Sequence, residues 1–408
     1  MIITRYTLVT IILLSSFLAN SQGYNFRIRT ITAGVSLSSL SDTVTIKETI
    51  AFLKKTRAEY TKKGYEVQTL RFVTQNIYEY LGGKSYKEAI PYLKVIDQIA
   101  RRDDIALSIG ELLPPNQYTD LNEWVVELIK ETENINFSIP ISSSLLGVYP
   151  NSIKAAAEVA ITISKNSAGG EGNFRFTASA NCPAEIPFFP AAVHKGKKSF
   201  AIGIESPNIL KEVFLISDWT NAKGNLKRTL ESQFKPIEEI AIGIAKANTW
   251  IYNGIDTSPA PGLDASIGEA IETLTKLPFG GPSTLRACAL ITDVLKNLNL
   301  KTCGYSGLML PIIEDKVLAK RAMENRFTIQ ELLLFSSVSG TGLDVVPIPG
   351  DTPLDVIERM YYDVAALSLK YTNKALSARL FLIPGKQVGE LVAFNNPYLT
   401  SSTVMKIE

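Results

Sequence analysis

The chain has 408 residues, 46% of them hydrophobic and 20% charged, with 42 Lys and Arg against 40 Asp and Glu. That balance is globular rather than disordered, and the length suits one large domain or two. Charges of both signs are interspersed without a basic face, which argues against nucleic acid as a partner.

The chain begins with Arg5, an apolar run from Tyr6 to Leu18, and the small-residue exit Ala19-Asn20-Ser21. This is the pattern of a secretory signal. The run is about 13 residues, short of the roughly 20 needed to span a bilayer. Residues 1–21 are therefore expected to be a signal segment cleaved after Ser21. The mature protein would be exported, periplasmic or secreted, with no stable membrane anchor after signal removal. A retained anchor and an ordinary buried first helix are the alternatives.

From Asn25 onward, strand and helix patterns alternate. Phe26–Val35, Tyr65–Val73, Ile105–Ile109, Ile135–Ile139 and Phe174–Ala180 read as strands, rich in β-branched and aromatic residues. Between them Thr43–Lys62, Tyr86–Ala100, Leu121–Lys130 and Ser152–Ser164 carry helical periodicity. Ser41 or Asp42 is placed to cap the first helix and Gly64 to end it, and Thr119 or Asp120 to cap the third. Pro91 is expected to kink the second. The repeat of roughly 30 to 40 residues is the length that parallel crossovers need.

The second half is less even. Ser199–Ile204, Val213–Ile216 and Trp250–Ile255 read as strands. Lys235–Ala247, Leu263–Leu277, Ser283–Asn297, Asp315–Glu324, Ile329–Ser336 and Pro353–Lys370 read as helices. Leu376–Ile383 and Glu390–Phe394 suggest a hairpin around Pro384-Gly385. No linker separates the halves, so residues 22–408 are expected to form a single domain, with halves roughly 25–180 and 199–408.

Two acid-bearing stretches stand out, Gly254–Gly262 around Asp256 and Gly340–Asp351 around Asp344. Gly and Pro punctuate both, so both read as rigid loops. A carboxylate in such apolar surroundings is costly to desolvate unless an Arg, a metal or a ligand binds it.

Several blocks together resemble a known family. They are Asn25–Thr32, Gly64–Arg71, Phe188–His194, the two acid stretches and Gly304–Pro311. They look like an uncharacterised protein family of bacteria and archaea, and the likeness extends over roughly Asn25 to Glu408. The resemblance implies an α/β fold of the pyruvate formate-lyase type. That is a ten-stranded barrel of two five-stranded parallel halves set antiparallel, with a pocket inside and no established reaction. A signal segment departs from the family's usual cytoplasmic form, so a cytoplasmic location is the alternative to export.

Asp256, at a strand end beside Thr257 and Ser258, is the first catalytic candidate, because ligands commonly bind at strand ends. Capping the next helix is its competing role. Asp344 is the second candidate, since no helix start explains it, whereas Asp351 fits a cap before Pro353. His194 is the sole imidazole and the third candidate, able to exchange a proton near neutral pH.

Arg71 follows an alternating strand and is a candidate anion holder. Ser258 and the Gly281–Ser283 helix entry, with Arg286 nearby, are candidates for substrate contact. Asp256, Asp344 and Glu314 would form an all-oxygen site for a divalent cation such as Mg or Ca. Asp315, beside Glu314, suits a helix start. One His and three cysteines, Cys182, Cys288 and Cys303, disfavour a Cys/His zinc site. Cys288 and Cys303 are either bonded to each other or free thiols.

The glycyl radical of the related barrels is disfavoured. Val338-Ser339-Gly340 echoes the radical loop, but Ser337 and Thr341 replace its Arg and Tyr, and no adjacent cysteine pair exists. The expected function is an enzyme acting on a small anionic molecule in a barrel pocket, by acid–base or metal-assisted chemistry. The alternative is a small-molecule binding protein without turnover. A homo-oligomer is compatible with both.

Overall fold

Alternation of large apolar and small polar residues places five strands side by side, with their apolar faces against helices. The computed structural model describes residues 25–262, 264–370 and 374–407, so the signal segment expected at 1–21 lies outside the described residues. Strands β1 (Arg27–Val35), β2 (Val67–Thr74), β3 (Ile105–Glu111), β4 (Ile135–Ser143) and β6 (Phe176–Ala180) are successive parallel neighbours. The short β5 (Gly147–Val148) folds back on β4. Helices Thr43–Lys62, Tyr86–Arg101, Asn122–Glu131 and Pro150–Lys165 make the crossovers.

Beyond β1, β7 (Ser199–Glu205) runs antiparallel to it and carries β8 (Ile251–Pro259) in parallel. Beyond β6, β10 (Leu376–Ile383) is antiparallel and carries β9 (Gly342–Pro349) in parallel. The order is β8-β7-β1-β2-β3-β4-β6-β10-β9 within one 10-stranded, mostly parallel sheet. The sheet is open, and the edge strands β8 and β9 do not pair with each other. Single bridges, Ile255↔Thr302 and Pro311↔Asp344, instead tie the connecting segment 302–311 to each edge.

One face of the sheet makes the core. Leu70 and Phe72 of β2, Ile105, Leu107 and Ile109 of β3, and Ile135, Phe137, Ile139 and Ile141 of β4 are buried there. Each such side chain contributes about 1.5–3 kcal/mol. The intervening positions, Thr69, Arg71, Ala106, Ser108, Asn136 and Ser138, form the opposite face, as a period of two requires. That face is small and polar.

The helix boundaries follow local chemistry. Asp42 accepts from Thr45 N at 3.1 Å, and Gly64 takes φ 86° just past the helix end. Ser85 with Glu88 and Thr328 with Glu331 form capping boxes. Pro91 lies inside a helix that runs through it. Asp315 caps helix Lys316–Met323 and also bonds Ser266 Oγ and Ile267 N, at 2.6 Å each. It therefore pins the starts of two helices.

Four expectations are corrected. Val213–Ile216 is not a strand; most of it is the last turn of helix Pro207–Leu215, where Ile209, Leu210, Val213 and Phe214 share the buried face. Four apolar residues are too few to tell a period of 3.6 from one of 2. The helix expected from Lys235 begins at Ala222 and runs through Pro236. Leu376–Ile383 forms no hairpin with the segment after it, because it lies between β9 and β6, while Leu391–Val392 pairs with Ser402–Thr403.

The fourth correction concerns the acid stretches. They are largely the two edge strands, β8 and β9, rather than loops. An edge strand leaves one row of N–H groups unused, so Pro259, Pro347 and Pro349 are tolerated there.

Candidate functional site

A cavity of about 720 Å³ lies against the small polar face of the sheet. Its lining includes Arg29 of β1, Arg71 of β2 and Asn136 of β4, together with Asp344 of β9 and Arg379 of β10. Ala260 and Pro261, just past β8, line it too. Residues from both ends of the strand order border one space, so the sheet wraps around it.

The contributions of β1 to β4 come from the early part of each strand. The other end is occupied by the segment before β7. Thr32 Oγ1 donates to Pro187 O and Ser108 Oγ to Ala192 O, each at 2.8 Å, while His194 N donates to Thr74 O at 3.0 Å. Phe188, Phe189, Pro190 and Ala191 of this segment form a wall of the cavity. The usual ligand position beyond the carboxyl ends of parallel strands is thus filled by the chain itself.

Electrostatics divide the cavity arginines. Arg379 donates to Asp344 Oδ1 through Nε at 2.8 Å and to Glu314 Oε1 through Nη2 at 2.6 Å. Burial opposes its charge, but Asp344 and Glu314 outweigh that effect and hold it protonated. Burial raises the Asp344 carboxyl above the ordinary range; the Arg379 charge opposes the rise and Glu314 adds to it. Arg29 pairs with Glu205 at 3.0 Å and lies 3.8 Å from Glu314. Arg175 is spent on backbone, donating to Ile135 O at 2.7 Å and Thr132 O at 2.6 Å.

Arg71 differs from these three. Its Nε donates to Thr69 Oγ1 at 3.2 Å, and the guanidinium lies 5.1 Å from the centre of the Phe189 ring. No carboxylate among the described residues pairs with it. Burial, and then the neighbouring Arg29 charge, push it down to about 9, so it remains a cation at neutral pH. Arg71 lines the cavity, and its terminal nitrogens have no hydrogen-bond partner among the described residues.

The other expected site residues fall outside the cavity lining. Asp256 is fully buried, and its carboxylate accepts from Ser258 N, Ser258 Oγ, Tyr305 N and Ser306 N at 2.6–3.1 Å. Ser258 Oγ in turn accepts from Gly307 N at 3.0 Å. Asp256 and Ser258 therefore brace the backbone of Tyr305, which does line the cavity. His194 is buried with Nε2 3.1 Å from Gly196 O, and its ring fills the space a methyl at Gly34 would need. Burial lowers its pKa, which leaves it neutral.

Gly281 and Ser283 sit at a surface turn outside the cavity lining, and the nearby Arg286 covers the Trp219 ring at 4.2 Å. Of the three carboxylates expected to hold a cation, Asp344 and Glu314 come together on Arg379 and Asp256 does not join them. Among the described residues, no three His, Cys, Asp or Glu side chains gather as a metal-ligand set. Cys182, Cys288 and Cys303 are free, and burial pushes the Cys182 and Cys288 thiols up to about 12.

Sequence reasoning missed Arg29, Glu171, Arg379 and Tyr398. Glu171, from a glycine cluster that matches no nucleotide fingerprint, accepts from Asn395 N at 2.6 Å and Asn396 N at 3.1 Å. Tyr398 stacks on Phe174 with ring centres 6.5 Å apart. Together they hold residues 395–398 against the cavity. The alternation of Arg27 and Arg29 with apolar neighbours in β1 was the available signal for Arg29.

A second titrating group lies at the carboxyl end of β3. Burial pushes Glu111 up to about 7, with Lys195 opposing the rise and Glu79 adding to it. The folded state thus holds this proton more tightly than the unfolded chain. Its stabilising contribution is full below the unfolded carboxyl pKa and is lost as pH rises to about 7. Urea unfolding between pH 4.5 and 8 is expected to show a decline on the order of 2 kcal/mol, and Glu111→Gln to flatten it. An unchanged slope in that variant would assign the decline elsewhere.

Comparison with known proteins places this geometry in a family. The family model described as Uncharacterised ACR (DUF711) matches residues 21–395. A UPF0210 protein of Pyrobaculum islandicum is 29% identical over 295 residues, 68% of this chain and 63% of the relative. The match thus spans less than two thirds of that relative's length. A UPF0210 protein of Carboxydothermus hydrogenoformans is 26% identical over 403 residues, 91% of this chain and 89% of the relative. One from Bifidobacterium longum is 24% identical over 403 residues, covering 90% and 88%. With a family-model match along most of its length, the chain belongs to the DUF711 (UPF0210) family of uncharacterised proteins.

Proposed function

We propose that this protein takes a small anionic molecule into the wrapped cavity and acts on it by acid–base chemistry. Arg71 is the observation that carries this reading. A half-buried guanidinium without an ion-paired carboxylate is costly, and an anionic ligand would reduce that cost. Asp344, raised by burial beside Glu314, is the proton donor or acceptor in the proposal, with Arg379 positioning it. Arg379 already bonds both carboxylates, which favours acid–base over metal-assisted chemistry. Asp256 and His194 contribute by bracing the walls.

The same reading includes two structural expectations. The sheet would complete a pyruvate formate-lyase-like barrel through segment 302–311, supported by its bridges to both edges. Export would follow from the signal pattern at residues 1–21.

Thermal-shift screening of small carboxylates and phosphates against the full chain tests the anion site. Stabilisation by an anion is expected in the wild type and not in Arg71→Met. A bound ligand should then be converted by the wild type, but not by Asp344→Asn, which leaves Arg379 paired with Glu314. A ligand recovered unchanged after prolonged incubation favours the non-catalytic binding reading, to which the locked Asp344–Arg379–Glu314 cluster is also suited.

A further inference from the structure

The cavity wall around Arg71 offers more than a single cation. In register, Arg71 of β2 faces Ala106 of β3. Leu107 faces Ile135, and Leu107 N donates to Asn134 O at 3.1 Å, so Asn134 follows next in the row. Ala106 presents only a methyl, which leaves a gap between Arg71 and the asparagines.

The asparagine orientations are fixed by backbone. Asn134 Nδ2 donates to Ile105 O at 3.1 Å, and Asn136 Nδ2 donates to Asn134 O at 2.9 Å and Leu107 O at 3.3 Å. Their amide oxygens carry no partner among the described residues and can only accept hydrogen bonds. Asp104, at the start of the same wall, has a carboxylate with no ion-pair partner among the described residues. Glu133 beside it is engaged by Arg101 at 2.8 Å.

Among the described residues, the wall therefore carries one guanidinium without an ion-pair partner and, about one strand across and two residues along at its exposed rim, one carboxylate without one. Both residues line the same cavity. With Arg29, Arg175 and Arg379 already engaged, the one cavity guanidinium without an ion-pair partner among the described residues matches a monoanion better than a phosphate dianion. Its planar fork, resting on Phe189, fits a planar carboxylate. The acceptors opposite call for a cationic hydrogen-bond donor.

We infer that the molecule held here is a small zwitterion, its carboxylate on Arg71 and its ammonium on Asp104 and the amide oxygens of Asn134 and Asn136. This rests on the anion-binding reading above and narrows it to amino-acid-like ligands. The backbone at Asp104 is left-handed, φ 53°, a conformation that Asn tolerates well. Asp104→Asn therefore removes the charge without disturbing the turn.

Calorimetric titration of the full chain tests it, using glycine, β-alanine, 4-aminobutanoate and 5-aminopentanoate. Each is compared with the carboxylate lacking the amine, and with inorganic phosphate. At least one amino acid is expected to bind about tenfold or more tightly than its des-amino partner, the scale of one charged hydrogen bond. Asp104→Asn should abolish that preference while leaving des-amino carboxylate binding in place, and Arg71→Met should remove both.

Arg71-dependent binding of phosphate or plain carboxylates without an amine preference overturns the zwitterion inference and leaves the anion site standing. An amine preference that survives Asp104→Asn overturns it as well. Failure of every probe to bind overturns both readings.

Discussion

Arg71→Met is expected to abolish anion binding while leaving the protein as stable as the wild type, or slightly more so. Two charge-assisted hydrogen bonds from its free terminal nitrogens are worth about 1.5–3 kcal/mol each. Their loss weakens binding by about a hundredfold or more. Stability moves the other way, because the substitution removes a half-buried charge that Glu314 offsets only from a distance and replaces it with an apolar chain of similar length. Arg71→Lys should fall between the two, keeping the charge but not the fork. Calorimetry and urea unfolding on the same preparations separate the effects. A Met variant that binds anions like the wild type would show that the cavity uses another cation.

Asp256→Asn is expected to do the opposite, costing about 3–5 kcal/mol of stability. The carboxylate accepts four hydrogen bonds, three from backbone N–H groups and one from Ser258 Oγ. An amide keeps one oxygen and turns the other position into a donor, so at least one buried N–H of Tyr305, Ser306 or Ser258 faces another donor. Gly304, at φ 64°, packs so closely on Asp256 that no side chain fits there, and the loop has little room to adjust. Urea unfolding should show the loss directly. Near-wild-type stability would return Asp256 to the role of a free site carboxylate.

These contrasting outcomes show how far composition carries. Asp256 and Asp344 sit in similar Gly/Pro-punctuated stretches, and the sequence makes both of them site candidates, with Asp256 first. The structure turns one into an internal brace and puts the other on a cavity wall. The difference lies in the partner: segment 303–307 supplies donors to Asp256, whereas β10 supplies Arg379 to Asp344. Both partners are far along the chain, and pairings of that separation leave no local trace. The same reason explains the missed edge strands. Gly and Pro signal loops where N–H groups must be paired, and at a sheet edge one row of them need not be.

What the sequence by itself determined was local and periodic. β-Branched and aromatic residues marked Phe26–Val35 and Tyr65–Val73 as strands, and the alternation in Ile105–Ile109 dictated which face meets the helices, since side chains alternate across a strand. Repeat length dictated parallel crossovers, caps such as Asp42 and Ser85 marked helix starts, and Arg71 stood out as a cation on the face away from the core. Only the tertiary structure decided which charges meet. It paired Arg29 and Arg379 with carboxylates from distant elements and, among the described residues, left Arg71 without one. Burial makes an unmatched charge costly in a way that composition, counting 42 basic against 40 acidic residues, does not reveal.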